Sequence, residues 1–454
     1  MSKLISINPY TEEINSIFET ISREELSRKI DLAHSAFKIW KQISKSEKKA
    51  LFLKLADLIE IQQKELAEIQ TKEMGMLFWY SFWGIGGTIK LTRWFANNFE
   101  SILANEIQTA EWMQFEYQYD PLGIIYGIAP WNFPFNQVLR AAIPNILAGN
   151  TTIYKHASNT PLAWQKIESL FREAGFPEGI YQNIFISNSE SEYIISREEI
   201  KWVNITASEW AGRNIGSLAW KYLKPSVLEL GGNDAFIVAS TTHLEEIAKS
   251  AVMARMSNNG QKCNSSKRFL VQDKDYEDFC KYAQIYIESL KIGDPMDPST
   301  DIWPLARKDL VDEIDLQVQK TISEWAVLVT GGKKLDRKWY FYAPTILRNI
   351  TPEMTAYRKE IFGPVLSIIR VKDVEEAIGL ANQSDFGLCG CVYGDDDEEL
   401  KKIARRIETG AVFINKPAAS QPHLPFGGIK KSGYAKENGP EWLRAFTNKK
   451  VIIY

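Results

Sequence analysis

The 454-residue chain has only four cysteines and four histidines. Cys263, Cys280, Cys389 and Cys391, two of them standing as Cys389-Gly390-Cys391, make no disulfide framework, which fits a reducing cytoplasm. His34, His156, His243 and His423 are too scattered for a metal cluster, and no zinc-type spacing occurs, so no metal site is expected. No apolar run approaches the ~20 residues of a membrane helix, and the start, Met1-Ser2-Lys3-Leu4-Ile5-Ser6, lacks the apolar core of a signal peptide. Net charge is −3 with lysine and arginine dispersed, so there is no basic stripe for nucleic acid. A Walker loop is missing. The usual dinucleotide fingerprint is missing too: Gly84-Ile85-Gly86-Gly87 follows no strand and lacks a third glycine at the right spacing.

What is present is ordinary globular composition, 45% hydrophobic and 24% charged, in a chain long enough for two or three domains. One stretch stands out. It opens with Leu228-Glu229-Leu230-Gly231-Gly232 and closes with Gly260-Gln261-Lys262-Cys263-Asn264. Between them Ala235-Phe236-Ile237-Val238 reads as a strand and Leu244 to Met256 as a helix, so the chain turns back and can bring Glu229 to Cys263. A lone cysteine is most often a small buried hydrophobe. Here the neighbours are Asn258, Asn259, Asn264, Ser265 and Ser266. A thiol on such a turn can attack a carbonyl carbon, and a carboxylate beside it can take a proton from the thiol or from water.

Residues 4–20 read as short strands around a turn at Asn8-Pro9, and Ser22 to about Gln108 as helical, with Leu26, Ile30, Ala33 and Ala36 near a 3.6 period. The aromatic cluster Phe78, Trp79, Tyr80, Phe82 and Trp83 reads as core or subunit contact. Glu111 to Tyr119 alternates as an amphipathic strand, and Ile124 to Ile128 is a continuous apolar run suited to a buried parallel strand. Ala129-Pro130-Trp131-Asn132-Phe133-Pro134 is a stiff loop. Its Asn132 either bonds its own backbone, as turn asparagines do, or aims its amide at a developing oxyanion. From there strands and helices alternate, with strands at Thr151 to Lys155, Asn183 to Ile186, Trp202 to Ile205 and Val227 to Leu230. Such alternation implies a parallel sheet with ligands at the carboxyl ends of its strands. Lys155 and Ser208 fall at such ends, Ser208 where a helix N-terminus can hold a phosphate. The second half alternates again, and Phe446 to Tyr454 reads as a peripheral strand like 111–119, the two being expected to pair across subunits in a bridging sheet.

Five motifs in this order resemble the aldehyde dehydrogenase superfamily. They are Pro130 to Pro134, Leu228 to Gly232, Gly260 to Cys263, Glu360-Ile361-Phe362-Gly363-Pro364, and Pro425-Phe426-Gly427-Gly428-Ile429-Lys430. Within it the chain is most similar to the shorter succinate-semialdehyde dehydrogenases, through Tyr154 to Asn159 and Leu424 to Tyr434. The resemblance implies an α/β fold with three parts. They are a Rossmann-like cofactor domain (1–110 and 124–230), an α/β catalytic domain (231–430) and a small oligomerisation sheet (111–123 and 431–454). It implies NAD(P)-dependent oxidation of an aldehyde to its acid, with succinate semialdehyde as substrate and a homodimer or homotetramer as the assembly. Cys263 would form a thiohemiacetal and then a thioester. Asn132 and the Cys263 N–H would hold the oxyanion, and Glu229 would activate the hydrolytic water. Lys155 and Glu360 would hold ribose hydroxyls, Ser208 the pyrophosphate, and Trp131 and Phe362 the cofactor groove.

Several positions depart from the family pattern. Ala207 stands in Thr206-Ala207-Ser208 where a glycine is usual, with Trp210 two residues on. Lys262 precedes the thiol, where it either lowers the thiol pKa or points away into solvent. Asn136 and Arg140, on the helix after the oxyanion loop, either receive a substrate carboxylate or, for Arg140, pair with an acid at a domain boundary. Ser158 stands three residues after Lys155, where NAD-selective relatives carry a glutamate. This favours NADP slightly over NAD. A CoA-acylating dehydrogenase and a non-catalytic protein on the same fold are the alternatives. Glu229 argues against the first, and the intact Cys263, Glu229 and Asn132 against the second.

Overall fold

A computed structural model describes residues 3–337 and 340–454. Met1 and Ser2, at the head of the segment read for a signal peptide, lie outside the described residues. Two sheets dominate. The first runs Gly433–Tyr434, Ser226–Glu229, Ile200–Thr206, Ile124–Ile128, Thr151–Lys155, Tyr181–Asn183, and its last five strands are parallel. Counted along the chain those five lie in the order 5-4-1-2-3. The strand order therefore reverses between Ile124–Ile128 and Ile200–Thr206, and in open sheets of this kind ligands bind beyond the carboxyl ends of the strands at such a reversal. Both faces are covered. Ile124, Tyr126 and Ile153 pack into one core with Leu26, Ile30 and Ala33, while Ile125 and Tyr154 pack into another with Trp40, Phe52 and Trp164. The alternation is the period of a strand.

The second sheet runs Val327–Thr330, Thr345–Arg348, Val365–Val371, Arg268–Gln272, Ala235–Val238, Cys389–Tyr393, Ala411–Ile414, parallel except at Val327–Thr330. It too is buried on both faces, with Ile237 and Leu270 in one core and Phe236 and Phe269 in the other. The chain crosses from the first sheet to the second through Leu230 to Asp234. Glu229 therefore ends a strand of one sheet just where the chain leaves for the other.

The long helical region resolves into Arg23–Trp40, Lys45–Ile61, Gln63–Met74 and Phe78–Ile102. Ser22 and Ser44 cap the first two, accepting from the Glu25 and Glu47 N–H groups. The helical reading to Gln108 ran too far, because Glu106–Ala110 is a strand. Ala110 pairs with Met113 across a two-residue turn in which Glu111 has φ 54°. The turn residues are Glu111-Trp112, not the Asn-Gly or Asp-Gly that signals such hairpins. The strand expected at Asn183 to Ile186 is instead Tyr181–Asn183, since its neighbour Thr151–Lys155 pairs with it only as far as Tyr154 opposite Asn183.

The tail Thr447–Ile453 pairs with Met113–Pro121 of the same chain, from Thr447 opposite Pro121 to Ile453 opposite Phe115. This corrects the expectation that these two strands pair across subunits. With Glu106–Ala110 they form a separate three-stranded sheet. The sheets also draw the expected segments differently: residues 106–110 join the small sheet, while Gly433–Tyr434 joins the first large one. Of the aromatic cluster, Phe78 is buried while Trp79 and Trp83 are exposed. Gly84 and Gly87 lie inside the helix Phe78–Ile102. No helix among the described residues is long and apolar enough to cross a membrane.

Candidate active site

The helix Leu244–Met256 delivers the chain to a tight turn in which Asn258 and Asn259 both have positive φ, a conformation asparagine tolerates better than most residues. Half-buried Cys263 follows. The two ends of the central stretch do meet. A Cβ on Gly232 would come within 2.7 Å of the Cys263 carbonyl oxygen, so only a glycine lets the strands' connection pass there. Charges on Lys267, Arg140, Glu360 and Glu229 all act on the thiol. Burial drives its pKa up to about 11. Lys267 and then Arg140 pull against that rise, while Glu360 and Glu229 add to it.

The loop from Pro130 to Pro134 is clasped to the thiol's turn. Asn132 Nδ2 donates to the Gln261 carbonyl at 3.0 Å, and Asn258 Nδ2 donates to the carbonyls of Asn132 at 3.3 Å and Gln261 at 3.2 Å. Asn132 is 4% exposed. An amide nitrogen carries two hydrogens, and one of them holds the loop in place. The bond runs to a carbonyl 129 residues away rather than to Asn132's own turn.

Glu229 is 2% exposed, and its Oε1 has no hydrogen-bond partner among the described residues. Burial, and next the nearby Glu437, hold its carboxyl well above the usual range, with Arg140 and Lys436 opposing. Glu437 is itself fully buried and pushed up by burial. Nothing in the spacing of Lys436-Glu437-Asn438 singles it out, and the sequence reading missed it. Lys267 was missed as well, four residues past the thiol and 2% exposed.

The groove residues also gather. The Trp131 and Phe362 rings meet edge to face at 5.7 Å. Ser208 caps the helix Glu209–Lys221, beyond the strand Ile200–Thr206 that flanks the sheet's reversal. Lys155 ends Thr151–Lys155 and is 8% exposed, yet among the described residues its ammonium donates only to the His156 carbonyl, at 3.4 Å. An ammonium has three donors, and burial pushes this one down to about 8, so an incoming hydroxyl or phosphate would find donors free. Ser158 is exposed in the turn before the helix Pro161–Ala174, whose cap position is Thr160. These features fit a dinucleotide. Glu360 is already engaged, accepting from the Gly232 N–H at 3.2 Å and pairing with Lys267 at 3.0 Å. Lys262 turns aside, donating to Ser257 Oγ at 3.4 Å.

The two substrate candidates are less open than the sequence implied. Asn136 donates to Thr88 Oγ1 at 3.1 Å. Arg140 Nη2 pairs with Glu437 Oε2 at 2.5 Å and donates to Gln137 Oε1 at 2.5 Å, so the acid-paired arrangement is the one observed. Its Nε has no acceptor among the described residues. There is no group of three or more potential metal ligands among them either.

Comparison with known proteins agrees with this geometry. The profile of the aldehyde dehydrogenase family matches residues 2–452. The chain is 39% identical over 449 residues to a probable succinate-semialdehyde dehydrogenase [NADP(+)] of Synechocystis sp., covering 99% of each chain. It is 36% identical over 447 residues to the succinate-semialdehyde dehydrogenase [NADP(+)] of Deinococcus radiodurans, covering 98% of this chain and 94% of that one. The solved structure of succinic semialdehyde dehydrogenase from Streptococcus pyogenes in complex with NADP+ superposes with a TM-score of 0.97 at 36% identity, covering 99% of both chains. With Cys263, Glu229 and Asn132 brought into one region and the match running nearly end to end, the chain belongs to the aldehyde dehydrogenase family.

Proposed function

We propose that the protein oxidises succinate semialdehyde to succinate with NADP+. The observation that carries the reading is the convergence of Cys263, Glu229 and Asn132 near the reversal of the first sheet. The relatives named above act on that semialdehyde and use NADP+, which supports the choice of substrate and cofactor.

The chain's own groups act in sequence. The Cys263 thiolate adds to the aldehyde carbon, and the oxygen becomes an oxyanion in reach of the second Asn132 N–H and the Cys263 N–H. The bound nicotinamide supplies an acceptor for the hydride that leaves this carbon. Cys263 is left as a thioester, and Glu229, when ionised, takes a proton from the water that attacks it. Release of the acid returns the thiol. Trp131 and Phe362 wall the nicotinamide groove, while Lys155, Glu360 and Ser208 hold sugar and phosphate groups. Arg140, steadied by Glu437, offers its unclaimed Nε to the distal carboxylate, with Asn136 one turn earlier on the same helix. We place the protein in the cytoplasm, consistent with four free cysteines. Two or four copies would associate through the free edges of the three-stranded sheet and the exposed Trp79 and Trp83.

A panel of short aldehydes assayed with NADP+ and NAD+, without coenzyme A, tests the reading. Succinate semialdehyde with NADP+ should give the highest kcat/KM, with free succinate as product. Dependence of product formation on coenzyme A, or a neutral aldehyde preferred more than tenfold, would overturn it.

A further inference from the structure

Lys267 is an ammonium buried between the thiol's turn and the cofactor-side loop. Its Nζ donates to the Cys263 carbonyl at 2.5 Å and the Lys262 carbonyl at 3.0 Å, and pairs with Glu360 Oε1 at 3.0 Å. All three of its donors are thereby spent on one small region. The carbonyls bracket the nucleophile's peptide, and the carboxylate belongs to the loop that carries Phe362. Lys262 was the cation that adjacency in sequence pointed to, but its ammonium goes to Ser257, and the leading positive charges on the thiol are Lys267 and Arg140.

We infer that Lys267 is a positioning residue for the nucleophile, fixing the Cys263 peptide and holding a positive charge beside it. The inference rests on Cys263 being the nucleophile of the proposed reaction. The groups facing the thiol are Lys267 and Arg140, of one sign, and Glu360 and Glu229, of the other, with the Cys389 thiol on the adjacent strand. Lys267 is the larger of the two cationic influences. Its ion pair with Glu360 ties the thiol's electrostatics to a residue of the cofactor groove. Removing the lysine leaves two carboxylates facing the thiol with only Arg140 against them, whereas removing the Glu360 charge leaves both cations less opposed. The two changes should therefore move the thiol in opposite directions. A purely structural lysine predicts no such opposition.

The test is alkylation of Cys263 by iodoacetamide as a function of pH, read on the Cys263 peptide by mass spectrometry with the full-length protein. Lys267→Met should raise the midpoint by about one unit, so that alkylation near pH 8 slows about tenfold. Lys267→Arg should stay within about threefold of wild type, and Lys262→Met should not move the midpoint. Glu360→Gln should lower the midpoint, and it serves alone if Lys267→Met does not fold. An unchanged midpoint in Lys267→Met, with or without a lower Tm, or an unchanged midpoint in Glu360→Gln, overturns the inference. Turnover retained by Cys263→Ala would instead remove the nucleophile reading, and this inference with it, whatever the alkylation profile.

Discussion

Arg140 Nη2 stands 2.5 Å from Glu437 Oε2 where both side chains are almost completely withdrawn from water, 4% and 0% exposed. Taking two charges from water is costly, and their attraction compensates only while both are present. Arg140→Leu should therefore strand a buried carboxylate and cost about 3–5 kcal/mol in denaturant unfolding. Adding Glu437→Gln to that variant should recover more than half of the loss. A double variant no more stable than Arg140→Leu would show that arginine packing, over the Phe426 ring for example, matters more than charge.

The same arginine can be tested for substrate binding without stranding Glu437. Arg140→Lys keeps a cation beside Glu437 and loses the guanidinium fork whose Nε is unclaimed. KM for succinate semialdehyde should rise at least about tenfold, a loss of ~1.4 kcal/mol, while KM for butanal stays within about threefold. Parallel losses on both substrates would mark Arg140 as structural only.

Glu229 and Glu437 share one buried region, so each resists ionisation of the other, and burial lifts Glu229 well above the ordinary carboxylate range. A general base works only when deprotonated. Hydrolysis of the thioester should therefore rise with pH through this raised pKa, placing the rising limb of kcat above the range of a solvated glutamate. Glu437→Gln removes the like charge, lowers the Glu229 pKa and should move that limb to lower pH. Glu229→Gln should show a burst of reduced cofactor in stopped flow and then a slow steady state. Burst and steady state slowed equally would mean that Glu229 acts before acylation.

Asn132 gives one N–H to the Gln261 carbonyl and keeps the other. If that N–H holds the oxyanion as proposed, Asn132→Ala should lower kcat by ~100- to 1000-fold, or about 2.7–4 kcal/mol, with cofactor affinity near normal. A loss under tenfold would leave the Cys263 N–H as the sole donor that counts.

Much of this site was legible because its parts are local motifs. Cys263 sits among asparagines and serines that are wrong for a core, Asn132 sits in a loop stiffened by two prolines, and the strand–helix excursion between Glu229 and Cys263 already implied that those two could meet. Trp131 and Phe362, far apart in sequence, were paired only by family resemblance. Illegible were the partners that tertiary packing supplies. Glu437 looks like one more charged residue near the tail until the fold buries it behind Arg140. Lys267 looks solvated until the Glu360 loop covers it. The hairpin at 106–121 was misread for a local reason, since Glu111 takes a left-handed conformation that nothing in its chemistry advertises.

On the proposed reading, cofactor choice turns on Ser158. It is exposed, it lies three residues beyond Lys155, and it is not the cap of the following helix, so its hydroxyl is not spent on the backbone there. A carboxylate in its place would face a 2′-phosphate at short range. At ~4 Å and an effective dielectric of about 20 the repulsion is on the order of 4 kcal/mol. Exposure and salt reduce that considerably. Even a third of it would exceed the ~1.4 kcal/mol of a tenfold change in kcat/KM. Lys155 adds to the preference from the other side. Burial pushes it down to about 8, so it is mostly charged near neutral pH and loses its proton as pH rises through that value. Ser158→Glu should therefore shift the ratio of kcat/KM for NADP+ over NAD+ by at least about tenfold toward NAD+. Affinity of the wild type for NADP+ should weaken above about pH 8 more than its affinity for NAD+. Isothermal titration with both cofactors across that pH range checks the second expectation. A wild type that prefers NAD+ more than tenfold would show that residues other than Ser158 decide the 2′ pocket.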